Sequence, residues 1–77
     1  MSELGVGIVG AGWVAGEHIR AFASNPNTKL VAICAKTERA ARDKATECGV
    51  KCDIYTDYAK MLDDPDIHII SVATPPD

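Results

Sequence analysis

Four runs of apolar and β-branched residues divide this chain, and between them the hydrophobic period changes. Leu4 to Val9 is apolar without alternation and stops at Gly10, as expected for a strand buried on both faces of a parallel sheet. From Ala11 to Ser24, Ala15, Ile19 and Phe22 recur at i, i+4 and i+7, the single apolar face of a helix, and Asn25-Pro26-Asn27 ends it. Leu30 to Cys34 reads as a second strand. Thr37 then offers a hydroxyl to cap a second helix, lined by Ala41, Ala45 and Cys48 and closed by Gly49. Asp53 to Thr56 reads as a short third strand. Asp57 can cap a third helix with Tyr58, Met61 and Leu62 facing inward and Pro65 beyond its end. Ile67 to Ala73 is the fourth strand, ending at Thr74-Pro75-Pro76.

The resulting order, β-α-β-α-β-α-β, implies right-handed crossovers and a parallel sheet. The expected fold class is therefore α/β: one half of a parallel doubly wound (Rossmann) sheet, with its third, second, first and fourth strands side by side in that order. Seventy-seven residues and 8.2 kDa make at most one domain. The chain stops after the fourth strand with no covering helix. We therefore expect residues 1–77 to be an incomplete N-terminal dinucleotide-binding domain, with the substrate domain of a longer enzyme absent. The fourth strand would then expose an edge and an apolar face, a source of aggregation in isolation.

Charge narrows the partners. Eight basic and eleven acidic residues leave a net charge of −3, with a pI near 5.2. That excludes a broad electrostatic grip on nucleic acid or anionic lipid. No apolar run approaches the roughly 20 residues that span a bilayer, and Met1-Ser2-Glu3 lacks the basic start of a signal peptide. The three cysteines are read as reduced thiols of a cytoplasmic protein. Cys48 and Cys52 have no histidine at ligand spacing, so no metal is expected.

Gly10-Ala11-Gly12-Trp13-Val14-Ala15 fits G-x-G-x-x-G/A and sits between a strand and a helix, the context in which that spacing has a mechanism. Gly10 permits the tight turn. Gly12 lets a pyrophosphate approach the backbone, and Ala15 is small enough for the helix to pack on the strand; Gly16 could replace it if the register differs by one. The helix's free N–H groups and positive end then face the phosphates. Trp13 and Val14 are carried at the tip of this loop as candidate cofactor contacts. The alternative is a strand-to-helix turn that binds nothing, with Trp13 merely covering the helix start.

A dinucleotide fold that prefers NAD usually has an acid at the tip of the second strand, on the ribose hydroxyls. Here that position is Ala35, followed by Lys36-Thr37-Glu38-Arg39. Without an acid, a 2′-phosphate is not repelled, and Lys36, Thr37 and Arg39 could hold it. NADP is favoured over NAD, although Glu38 weakens the patch and Lys36 could simply be solvated at a helix start. His18 is read as a packing or hydrogen-bonding residue of the first helix. His68 is placed inside the fourth strand, opposite Ile67 and Ile69. Asp63-Asp64-Pro65-Asp66 is read as an acidic loop ending a helix rather than a metal site.

Together these residues resemble the glucose-fructose oxidoreductase / inositol 2-dehydrogenase family (Gfo/Idh/MocA). The resemblance covers essentially the whole chain: Gly7-Ile8-Val9-Gly10-Ala11-Gly12 with His18, Leu30 to Cys34, Glu38-Arg39-Ala40, Tyr58, Asp64-Pro65-Asp66 and, most specifically, Ser71-Val72-Ala73-Thr74-Pro75-Pro76-Asp77. It implies an oxidoreductase moving a hydride between nicotinamide and a sugar, inositol or related compound. It also implies a second domain that holds this small-molecule substrate and often forms a homo-oligomer interface. Thr74 and Pro75 would lie near the ribose and nicotinamide end of the cofactor. The chain departs from the common pattern at Ala35, where many members carry Asp. The family's catalytic Lys, in Glu-Lys-Pro, and its Asp and His belong to later segments, so no residue here is assigned a catalytic role. Lys36 and Lys60 are read as helix-surface residues.

Two rival functions share the pattern. A non-catalytic dinucleotide-binding sensor of the same fold would lack the downstream lysine. A nucleoside-cofactor transferase would want an acid where Ala35 stands.

Overall fold

In a computed structural model, residues 4–73 are described. Strand β1 (Leu4–Val9) is followed by helix α1 (Trp13–Ser24), strand β2 (Thr28–Cys34), helix α2 (Glu38–Cys48), strand β3 (Asp53–Tyr55), helix α3 (Tyr58–Leu62) and strand β4 (Ile69–Val72). The four strands form one parallel sheet in the order β3-β2-β1-β4. The fold class and strand order read from the sequence both hold. Boundaries move slightly: β2 begins two residues before Leu30, β4 begins at Ile69 rather than Ile67, β3 ends before Thr56 and α1 starts at Trp13 rather than Ala11.

Helices cover both faces, as double winding requires. On one face Ala15 and Ile19 of α1 and Ala41 and Ala45 of α2 pack on Val6, Ile8, Leu30 and Ile33, with Phe22 and Cys48 against their rim. On the other face Met61 of α3 meets Ala32 and Cys34. Strict alternation would separate Leu30 from Ile33. A register shift between Val6 and Gly7 makes Val31 the extra residue of β2, and that bulge brings the two onto one face.

The caps follow the sequence. Thr37 Oγ1 accepts from the Ala40 N–H at 3.1 Å, Asp57 accepts from the Ala59 N–H at 2.9 Å, and Gly49 closes α2 with a φ of 68°. Helix α3 departs from expectation. It has five residues, and only Met61 among its large side chains is buried; Tyr58 and Leu62 are 45% and 53% exposed. One short turn presents only one residue to the sheet. His68 also moves: it precedes β4, its backbone N–H donates to the Gly5 carbonyl and its Nδ1 accepts from the Gly5 N–H, both at 2.8 Å.

Beyond α3, the Asp64 carboxylate accepts from the Asp66 N–H and, at 2.7 Å, from the Tyr55 hydroxyl. These bonds hold Asp64 below the usual carboxylate range, and the bond to Asp64 pushes the Tyr55 phenol up to about 12.

Two outcomes follow. An added methyl at Gly5 would run into the Asp66 carbonyl oxygen, so Gly5→Ala should lower unfolding free energy by ~1–3 kcal/mol in urea titrations. The Tyr55–Asp64 bond should stabilise the fold fully below the unfolded phenol value of ~10 and lose its effect as pH rises through 12. The Asp64 contribution is present above the ordinary carboxylate range and lost as pH falls through its lowered value. Phenolate absorbance should show one late-ionising tyrosine, and Asp64→Ala should bring that step to lower pH.

Candidate cofactor site

The carboxyl ends of the four strands are brought level by backbone hydrogen bonds. The Gly10 N–H donates to the Cys34 carbonyl at 2.8 Å, the Ala35 N–H to the Tyr55 carbonyl at 3.1 Å, and the Ala73 N–H to the Val9 carbonyl at 2.8 Å. Above this edge lies a cleft of about 410 Å³, within the range of small-molecule sites. Its walls come from Val9 to Gly12 after β1, Cys34 to Lys36 after β2, Ala40 of α2, and Thr56 and Tyr58 after β3.

Gly10 has a φ of 122°, a backbone state that an L side chain rarely adopts. That turn delivers the start of α1 to the cleft. Gly12, the N-cap, supplies no side-chain cap, and the first turn carries no acid, so its N–H groups and positive end are left for an anion. Among the described residues, no atom lies within 4 Å of a Cβ added at Gly12. Their packing therefore does not demand glycine there; close approach by a ligand would. Uncapped donors, an open backbone and a cleft beside them fit a dinucleotide pyrophosphate. Ala15 is fully buried against the sheet, while Gly16 faces Arg20 of its own helix and Lys44 and Glu47 of α2. Ala15 is thus the close-packing residue of the motif.

The structure brings Gly10, Gly12, Ala35 and Lys36 together in the cleft lining. Lys36 belongs to the turn before α2 rather than to a helix surface. Trp13 and Val14 open α1, 76% and 47% exposed, and Thr37 and Arg39 stand at the start of α2; none of the four lines the cleft. The Thr37 hydroxyl oxygen is engaged in capping, and the Arg39 side chain is 91% exposed with Asp43 at 3.8 Å. Thr74 and Pro75 lie outside the described residues.

Sequence reasoning missed Val9, Ala11, Cys34, Ala40, Thr56 and Tyr58 as lining residues. Spacing assigned Tyr58 to the core; its place just after a strand's carboxyl end was the signal available. Burial and the Asp57 carboxylate push the Cys34 thiol up, which keeps it protonated and a poor nucleophile. His18 Nδ1 and Ser71 Oγ are hydrogen-bonded at 2.8 Å, tying α1 to β4 in the bonding role expected of that histidine. Among the described residues, no cluster could hold a metal ion and no helix is long and apolar enough to cross a membrane. Cys34, Cys48 and Cys52 are free.

Comparison with known proteins decides the family. The signature of an oxidoreductase family with an NAD-binding Rossmann fold, Gfo/Idh/MocA, matches residues 4–77. The chain belongs to this family. Levoglucosan dehydrogenase from Pseudarthrobacter phenanthrenivorans is 32% identical over 84 aligned residues, covering 97% of the chain and 21% of the relative. The crystal structure of GenD2 from gentamicin A biosynthesis in complex with NAD shares 31% identity with a TM-score of 0.83, over 97% of the chain and 21% of that protein. That of myo-inositol dehydrogenase from Lactobacillus casei, with NAD(H) and myo-inositol, shares 26% and a TM-score of 0.82, over 94% of the chain and 22% of that protein. The chain spans about a fifth of the length of these relatives.

Within this Gfo/Idh/MocA chain the two cleft glycines have separable duties. Gly10→Ala should cost ~1–3 kcal/mol through backbone strain, whereas Gly12→Ala should cost no more than ~1 kcal/mol as an N-cap exchange. Thermal unfolding of both variants measures the difference.

Proposed function

We propose that this chain is the cofactor-binding part of an NAD(P)-dependent oxidoreductase acting on CH–OH groups. The reaction would be hydride transfer between nicotinamide and a sugar, inositol or related polyol or carbonyl compound. One observation carries the reading: a cleft at the carboxyl edge of the sheet joins the uncapped start of α1 to a β2 tip without an acid. The bound nicotinamide supplies the hydride chemistry. Gly10 and Gly12 bring the backbone to the pyrophosphate. Ala35 leaves room at the ribose, and Thr74 and Pro75 are the proposed contacts toward the nicotinamide end.

NADP is the favoured form. Among the described residues that line the cleft, Lys36 is the one that is charged. A 2′-phosphate there would meet that cation, with Ala35 in place of an acid at the β2 tip. The exposed Arg39 is within one turn of chain and could join it by side-chain rotation, while Thr37 stays engaged as the α2 cap. The catalytic lysine would come from the strand that follows β4, and the substrate would be held by a second domain, which would also supply an Asp, a His and the surface of a homo-oligomer. The free thiols and the acidic balance support a cytoplasmic protein with neither nucleic acid nor membrane as partner.

Trp13, the sole tryptophan, is exposed at the start of α1 and reports on the site. Its fluorescence in the folded chain should change saturably with NADP⁺ at a concentration about tenfold lower than with NAD⁺, a difference of ~1.4 kcal/mol. Lys36→Ala should erase most of that preference, and Gly12→Ala should weaken both dinucleotides by about tenfold. An equal or tighter response to NAD⁺ removes the NADP preference alone. A folded chain that answers to neither removes the cofactor reading.

A further inference from the structure

Both of the chain's histidines tie β4 to its neighbours, and the two ties answer to protons differently. His18 Nδ1 meets the Ser71 hydroxyl, a group that can either donate or accept. That bond survives protonation of the ring by reversing its direction. His68 Nδ1, just ahead of β4, meets the Gly5 N–H at 2.8 Å. A backbone N–H only donates, so this bond requires a neutral ring with its proton on Nε2. Protonated on both nitrogens, the ring sets one donor against another.

Burial makes that reversal matter. His68 is exposed and takes its proton from water, whereas Gly5 is buried. Loss of the ring nitrogen strands a buried donor, which costs more than a bond lost at the surface. Around the ring, a cavity of about 370 Å³ at the amino edge of the sheet is lined by Lys29 of β2, Lys51 and Cys52 ahead of β3, Asp53 of β3 and Asp66 ahead of β4. Burial and the Asp53 carboxylate push the Cys52 thiol up, so it stays uncharged. The two ammonium groups and two carboxylates balance. A proton arriving on His68 therefore gives this cavity a net positive charge and removes the acceptor of the Gly5 N–H in the same step.

We infer that His68 is a proton-operated anchor of β4. Neutral, it holds the amino end of the strand on Gly5; protonated, it releases that end while the His18–Ser71 bond keeps the middle of the strand in place. This device lies at the opposite edge of the sheet from the cofactor cleft and does not depend on the cofactor reading.

The test is amide hydrogen exchange of the folded chain, followed by NMR at about pH 8 and about pH 5, either side of ordinary imidazole titration, with each rate corrected for intrinsic exchange. Protection of Gly5 should fall by about tenfold at the lower pH, while the Ile8 and Ile33 amides change by less than about threefold. In His68→Asn, where an amide oxygen that takes up no proton stands in for Nδ1, protection of Gly5 should not depend on pH. In His68→Leu it should be low at both values. Protection of Gly5 that is equal at both pH values in wild type, or that His68→Leu leaves intact at the higher one, overturns the assignment. An equal fall in His68→Asn also overturns it, by tracing the response to the neighbouring carboxylates, as does a fall shared equally by Ile8 and Ile33, which is global unfolding.

Discussion

The hydrogen bond from the Gly10 N–H to the Cys34 carbonyl, made by a residue with a φ of 122°, is the constraint on which the site depends. It keeps β1 and β2 paired to their last residues and then turns the chain upward at once. Only such a turn places the first N–H groups of α1 at the strand ends instead of behind the sheet. The same edge receives Ala35 and Ala73. Four chain segments far apart in sequence thus end at one level, held there by three hydrogen bonds between neighbouring strands.

Close packing maintains that geometry. Where the helices meet the sheet, the buried residues are largely small: Ala15 on α1, Ala41 and Ala45 on α2, Ala32 in β2. Small contacts let helix axes approach the strands, so the position of the α1 N-terminus is set by backbone proximity rather than by flexible side chains. The cost is a thin core. Ile8, Ile19, Ile33, Met61 and Val6 are the largest fully buried side chains, and a chain of this size buries only roughly 60% of its unfolded surface. Stability is concentrated in the central strands, and the binding edge rests on them.

Most of the architecture was legible because its signals are local. The unbroken apolar run of β1, the i, i+4, i+7 face of α1 and the side-chain caps Thr37 and Asp57 each depend on residues close in sequence. So did Gly10 and Gly12, whose spacing encodes a turn. What escaped depended on the third dimension. The bulge at Val31 follows from fitting β2 against β1. Tyr58 and Leu62 looked like core because periodicity cannot tell that α3 makes a single turn. His68 looked like a strand residue because its partner, Gly5, is 63 positions away. At the β2 tip the order Ala35-Lys36-Thr37-Glu38-Arg39 was plain, but which of these reach the cleft was not. Thr37 is spent on capping and Arg39 extends into water, so Lys36 is left to carry the charge.

The pair of hydrogen bonds between His68 and Gly5 also has a kinetic meaning. The N–H and carbonyl of Gly5 are both used, one by the His68 ring and one by its backbone, across a sequence separation of 63. Closing so long a loop carries an entropic penalty that grows as ~(3/2)RT ln n, roughly 1 kcal/mol more than the shorter β1-α1-β2 unit must meet. The sheet is therefore expected to assemble from β1 and β2 outward, with β4 joining last. The His68 imidazole then acts as a clasp that shuts the sheet at its amino edge. The final strand to be captured also brings Ala73 to the opposite, carboxyl end of the sheet, where its N–H donates to the Val9 carbonyl beside the cleft.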